Sequence, residues 1–353
     1  MSSIWLSQIQ KNSNVNLFNK KAYAEVPNLY RDASPTPAMH LLGANVPKKS
    51  EEGGMKKFSF LIAGLLSAFQ AGAALSAPNW TVYYNMNYGN GTVPQQTADL
   101  YLLNRGVNPV IVFIHGGAWQ AGDKSAYAGY YAQLYAMAGF HVVSLNYRLA
   151  TSDPATQWNA QLQDVQLAIR WLRQYASMLR IDPTRIGAVG DSAGAHLALF
   201  LGSLNPSVPN STCLPTSCFF NQSPKVSAVV EMFGPTDLTQ PAIYSWVQSL
   251  WLFNKKAYAE VPNFYRDASP IFVVSNQTAP ACIVQGIIDT TVPLSQSIEL
   301  RNKLSSSGVP YKWIPFDGGH EFSGVPSWLK TIIDTEALQC ISGYLHPNPF
   351  NAF

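Results

Sequence analysis

The chain has 353 residues, 47% of them hydrophobic and 12% charged, with a formal net charge of +3. That balance suits a globular protein able to bury a large core, and 24 Gly with 24 Pro fit a loop-rich enzyme better than a helical bundle. The small basic excess is unclustered apart from Lys48-Lys49 and Lys56-Lys57, so there is no electrostatic footprint for nucleic acid.

Residues 1–54 are polar, rich in Asn, Ser and Lys, and show no sustained period of 3.6 or 2, so they cannot bury a core of their own. Within them, Leu17 to Pro35 recurs as Leu252 to Pro270, with Leu29 against Phe264 the single difference. Two distant copies do not make a solenoid. Met55 then opens a basic n-region (Lys56-Lys57), an apolar h-region (Phe58 to Phe69) and small residues ending in "AGAALSAP", the pattern of a secretory signal peptide over 55–77. A transmembrane anchor would need the same roughly 20 residues, but the Ala- and Gly-rich second half suits cleavage. The Glu and Gly codons of Ser50 to Gly54 are purine-rich, as a bacterial ribosome-binding site is. Met55 is therefore expected to be the start, with residues 1–54 non-native or disordered upstream sequence, a remnant of a duplicated neighbouring gene. The mature protein is expected to be secreted or periplasmic, with no stable membrane association.

From Trp80 onward short apolar strands alternate with helices. Strands are predicted at 81–88, 98–103, 110–115, 141–146, 185–190, 227–233, 281–286 and 311–316, and helices at 126–137, 160–178, 193–202, 294–306 and 326–345. Runs such as "VIVFIH" and "ACIVQG" are apolar throughout, as in a parallel sheet covered on both faces. The first two strands alternate and suit an antiparallel edge. The prediction is an α/β three-layer sandwich, one domain over 78–353, around a mostly parallel eight-stranded sheet. Residues 203–225 and 234–279 break the rhythm. Long loops in compact domains tend to be functional, and the second, rich in aromatics, reads as an inserted cap.

Gly190-Asp191-Ser192-Ala193-Gly194 lies between a strand-like and a helix-like run, the setting of a nucleophile elbow; its flanking glycines leave room that a Cβ would fill. Ser192 is the expected nucleophile. Asp289, at a strand end in "GIIDTTVP", is the expected acid, with Asp237 in "FGPTDL" the rival; Asp191 is too close to the elbow to reach round to a base. His320 in "GGHEF" is the expected base, and the order Ser, Asp, His excludes upstream histidines. His196 is expected to pack beneath the elbow and His115 to brace its own loop. Backbone N–H groups of Gly116, Gly117, Ala118 and Ala193 are the candidate oxyanion donors. Trp119, Tyr127, Tyr130, Tyr131, Trp158, Tyr244 and Trp246 could stack on sugar or phenolic rings, or belong to the core; Trp119, Tyr127, Trp158, Tyr244 and Trp246 are kept as substrate-binding candidates. Cys213 and Cys218 bracket a short loop and are expected to pair. Cys282 and Cys340 are either buried thiols or a second pair. No metal site is expected, because neither pair has histidines at ligand spacing.

Together "FIHGGAWQAGDK", "NYRLA", "RIGAVGDSAGAHLALFLG", "GIIDTTVP" and "GGHEF" resemble the α/β-hydrolase fold over residues 97–345. Within it they are similar to hormone-sensitive-lipase-like esterases and to secreted feruloyl and acetyl-xylan esterases. The third glycine of the former is Ala118 here, which favours the "HGGxW" type. The resemblance implies a cofactor-free serine hydrolase acting on short-chain acyl esters or on acetylated or feruloylated carbohydrate esters, with a small-molecule or polysaccharide substrate. Arylformamidase or peptidase chemistry by the same three residues, and a non-catalytic binding module, are the alternatives.

Overall fold

A computed structural model describes residues 79–203 and 218–346. The signal-peptide reading over 55–77, the upstream segment 1–54 and Cys213 therefore lie outside the described residues. The strands are β1 (Trp80–Asn87), β2 (Thr97–Leu103), β3 (Asn108–Ile114), β4 (His141–Leu145), β5 (Ile181–Asp191), β6 (Ala228–Met232), β7 (Ala281–Gly286) and β8 (Tyr311–Phe316). They form one eight-stranded sheet in the order β1-β2-β4-β3-β5-β6-β7-β8. β1–β2 and β2–β4 pair antiparallel, and β3 through β8 are parallel. β2 is buried from Ala98 to Leu103 because it lies between two strands rather than at the edge.

The helices are α1 (Tyr130–Met137), α2 (Ala160–Gln174), α3 (Ala176–Leu179), α4 (Ala193–Ser203), α5 (Pro241–Val247), α6 (Pro262–Asp267), α7 (Leu294–Ser306) and α8 (Ser327–Leu345), and all but α5 and α6 pack on the sheet. Side chains that alternate along a strand divide between its faces. Cys282 and Val284 join one core with Phe113, Val230 and the α8 residues Leu338 and Ile341, while Ala281 and Ile283 join another with Leu199, Leu300 and Leu304. That division decides the open cysteine question. Cys282 faces α8, which carries Cys340, and the two form a disulfide across a 6.2 Å Cα separation. Cys218 is also disulfide-bonded.

The predicted helix at 126–137 begins later, because Asp123 caps a separate 3-10 turn at Lys124–Tyr127 before α1. The predicted helix at 160–178 is split at Tyr175 into α2 and α3. α5 and α6 belong to the 234–279 insertion, where sequence periodicity is too short to show them; both begin with Pro, whose fixed φ suits a first helical position. The order in which strands are added to the sheet reverses at β3, which pairs with β4 on one side and β5 on the other. Ligand crevices of such sheets open at the carboxyl ends of strands beside that switch.

Candidate active site

β5 ends at Asp191 and α4 begins at Ala193, leaving Ser192 alone on the turn with φ +50°. A side chain there is uncommon in the left-handed region, and the surroundings hold it. The Ser192 N–H donates to the Met232 carbonyl at the end of β6, 2.9 Å away. A Cβ at Gly190 would strike the Gly194 carbonyl, and one at Gly194 would strike the Ile114 and His115 carbonyls, so the elbow sits directly against the end of β3.

His320 reaches the serine from the turn after β8. Its Nε2 lies 3.0 Å from Ser192 Oγ, and its Nδ1 lies 2.7 Å from Asp289 Oδ2. A carboxylate only accepts, so Nδ1 is the donor and Nε2 turns a lone pair to the serine hydroxyl. Asp289, 6% exposed, is itself held: Oδ1 accepts from the N–H groups of Thr291 at 2.8 Å and Val292 at 2.9 Å. The Phe233 ring edges against the His320 ring at 5.1 Å. Asp237 does not join them. Its carboxylate accepts from Thr239 N and Oγ1 and from Gln240 Nε2.

After β3 the chain runs through three consecutive left-handed residues, Gly117 (φ +100°), Ala118 (φ +52°) and Trp119 (φ +61°). The structure removes Gly116 from the four candidate oxyanion donors: its single N–H donates to Asp191 Oδ1 at 2.9 Å. No hydrogen bond among the described residues takes the N–H of Gly117 or Ala118. Ala193 opens α4, where a backbone N–H has no helical partner. The Asp191 carboxyl thus ties the elbow to the loop opposite, and the Tyr127 hydroxyl donates to the same oxygen. Burial raises the Asp191 carboxyl above its ordinary value, against the lowering effect of the Tyr127 and Gly116 hydrogen bonds. His115 braces this loop. Its ring stacks on Tyr147 at 4.4 Å, and the Tyr147 hydroxyl donates to the His115 carbonyl at 2.9 Å.

The aromatic candidates separate. Trp119 is fully buried, and Tyr127 is 3% exposed with its hydroxyl committed to Asp191, so neither presents a face to a ligand. Trp158, Tyr244 and Trp246 are half-buried. Trp246 stacks on Trp119 at 6.3 Å and Tyr244 on Tyr258 at 4.8 Å. The insertion grips the loop after β3, where the Trp251 N–H donates to Gln120 Oε1 at 2.6 Å, and the loop before α2, where the Trp158 N–H donates to the Leu252 carbonyl at 2.9 Å.

One residue near the elbow escaped sequence reasoning. Glu231, in the otherwise apolar strand "AVVEM", is fully buried; its Oε1 accepts from the Gly234 N–H, its Oε2 has no partner, and burial pushes its carboxyl up to about 8. A lone acid inside an apolar strand was the available signal. Among the described residues, no group of three His, Cys, Asp or Glu could hold a metal ion.

Sheet order, elbow and the Ser192–His320–Asp289 relay define a protein of the α/β-hydrolase fold. The BD-FAE family model matches residues 98–304, and the chain belongs to that family. It is 30% identical over 218 residues to the probable carboxylic ester hydrolase LipM of Mycobacterium tuberculosis, covering 60% of this chain and 49% of that protein. The chain spans about half the length of the curated relatives it matches. Among solved structures it is similar to a truncated carbohydrate esterase from gut microbiota (TM-score 0.65, 29% identity, covering 75% of this chain and 98% of that one). A thermophilic esterase of Thermogutta terrifontis shares the fold (TM-score 0.59, 22% identity, covering 77% and 96%).

Proposed function

We propose that this protein is a serine hydrolase of carboxylic esters that removes short acyl groups, acetyl among them, from small-molecule or carbohydrate esters. The observation that carries the reading is the unbroken relay from Ser192 Oγ through His320 to Asp289, at 3.0 and 2.7 Å. His320 takes the serine proton as Oγ attacks the ester carbonyl, and Asp289 steadies the imidazolium that forms. N–H groups of Gly117, Ala118 and Ala193 receive the negative charge that develops on the carbonyl oxygen. His320 returns the proton to the leaving alcohol, and then activates water to hydrolyse the acyl-enzyme. The similarity to a carbohydrate esterase supports the sugar side of the substrate class, as do the half-buried Trp158, Tyr244 and Trp246. A binding module would have no need for such a relay.

The test is hydrolysis of p-nitrophenyl acetate, followed by an acyl panel from acetyl to octanoyl with acetylated xylan and methyl ferulate. Ser192→Ala is expected to abolish turnover. Retention of a tenth of wild-type activity overturns the assignment, and no hydrolysis of any ester by the wild type overturns the function. We also propose that the protein is exported, which the basic-then-apolar run at 55–77 and the Cys282–Cys340 disulfide support.

A further inference from the structure

His196 lies one helical turn beyond Ser192, on the first turn of α4, and its ring is fully buried. Both ring nitrogens are engaged. The Trp119 indole Nε1 donates to Nδ1 at 3.3 Å, and Nε2 stands 2.6 Å from the Ala268 carbonyl. An indole N–H can only donate and a carbonyl can only accept, so one form of the ring satisfies both: neutral, with the proton on Nε2. Burial lowers the imidazole to about 4, which keeps it neutral at ordinary pH. Trp119 and Trp158 edge against the ring at 5.0 and 5.5 Å, so it has no room to turn.

This junction joins three parts of the site: the helix that begins behind the nucleophile, the loop 117–119, and the insertion at Ala268. Trp119 is the last of the three left-handed residues whose neighbours Gly117 and Ala118 offer free N–H groups. Non-glycine residues hold that conformation only where the surroundings over-determine it. Trp119 is held at its backbone by the Ala150 N–H, which donates to its carbonyl at 2.7 Å, and at its side chain by His196. Gly116, on the other side, is held by Asp191.

We propose that His196 is a positioning residue for the oxyanion loop, acting through its Nδ1 bond to Trp119 to aim the N–H groups of Gly117 and Ala118. The Nε2 bond to Ala268 sets the tautomer and docks the insertion. This deepens the serine-hydrolase reading and rests on it.

Two substitutions separate the ring's two bonds. In His196→Asn the side-chain oxygen takes the place of Nδ1 and can still accept from Trp119, while Ala268 loses its donor. In His196→Gln the amide nitrogen takes the place of Nε2 and can still donate to Ala268, while Trp119 loses its acceptor. With full-length protein and p-nitrophenyl acetate, His196→Gln is expected to lose kcat by about 10- to 100-fold with KM little changed, a fraction of the cost of deleting an oxyanion donor. His196→Asn is expected to keep kcat at least about tenfold above the Gln variant at a similar loss of Tm. Trp119→Phe, which removes the indole donor and stays aromatic and apolar but gives up some buried volume, is expected to match His196→Gln in kcat, and the double variant to be no worse than either. The proposal is overturned if the two His196 variants lose kcat equally and in step with Tm, or if Trp119→Phe keeps wild-type kcat; should the Gln variant not fold, Trp119→Phe decides alone. Labelling by a fluorophosphonate distinguishes the levels. Wild type that folds but does not label at Ser192 sinks the hydrolase reading and this one with it; labelled wild type with an unaffected Trp119→Phe sinks this one only.

Discussion

Asp289 and Asp237 follow neighbouring parallel strands, β7 and β6, and each carboxylate accepts hydrogen bonds from the loop that carries it. Asp289 spends only Oδ1 on its loop, through Thr291 and Val292, and leaves Oδ2 to accept from His320 at 2.7 Å and more distantly, at 3.5 Å, from Gln285 of β7. Asp237 spends both oxygens on Thr239 and Gln240. An amide at position 289 would turn either a donor or a weaker acceptor toward Nδ1 and disturb the tautomer that His320 needs. Asp289→Asn is therefore expected to lower kcat by on the order of 10³- to 10⁴-fold, while Asp237→Asn stays within about tenfold and costs about 1 kcal/mol of stability. Turnover of p-nitrophenyl acetate by the two variants checks this, and the reverse order would move the acid to Asp237. Sequence position alone placed both aspartates at strand ends. Which one has an oxygen to spare depends on how each loop turns after its strand.

At the scale of the element, β6 and the turn after it support the serine and the histidine of the relay. The Met232 carbonyl accepts from Ser192 N–H, Phe233 lies against His320, and the Gly234 N–H is held by Glu231. The Glu231 carboxyl titrates at about 8 in the fold against an ordinary 4.5, because burial disfavours its charge. A value raised on folding means that the folded state holds the proton more tightly. The contribution of Glu231 to stability is thus complete below about pH 4.5 and is lost as pH rises toward about 8. At about 1.4 kcal/mol per unit, the window amounts to a few kcal/mol. Glu231→Gln keeps an acceptor for Gly234 and cannot ionise. Its Tm, taken minus that of wild type, is expected to grow between pH 5 and pH 8; a difference that stays flat across that range refutes a neutral Glu231.

For the whole molecule, the arrangement of faces matters more than any one contact. β7 sends Cys282 toward α8 and Ile283 the other way, so a helix far along the chain is bonded to the strand next to the β8 edge of the sheet. A disulfide of this kind persists in an oxidising compartment. Together with the run at 55–77 it underlies the proposed export. N-terminal sequencing of natively expressed protein is expected to read a mature end near Ala74 or Pro78, and recovery of residues 1–54 would overturn that expectation. Among the described residues, no helix is long and apolar enough to cross a membrane.

Local chemistry made much of this legible from the residues alone. Strands buried on both faces must be largely apolar, so β3 and β7 stand out. The glycines at 190 and 194 announce a turn with no room for a Cβ, and the order Ser192, Asp289, His320 is written along the chain. Properties that depend on what a side chain meets across space were decided only by the tertiary structure. A backbone N–H serves one acceptor, so Gly116, which donates to Asp191, drops out of the candidate oxyanion donors. Buried and half-buried aromatics are the same residue types, so Trp119 and Tyr127 could be separated from Trp158 and Trp246 only by exposure. Two cysteines 58 residues apart could be thiols or a pair, until the alternation of β7 turned one of them toward α8. Sequence determined the strands, the elbow and the three residues of the relay because each is set by its immediate neighbours. The donors, the braces and the covalent link were set by packing, because their partners come from distant parts of the chain.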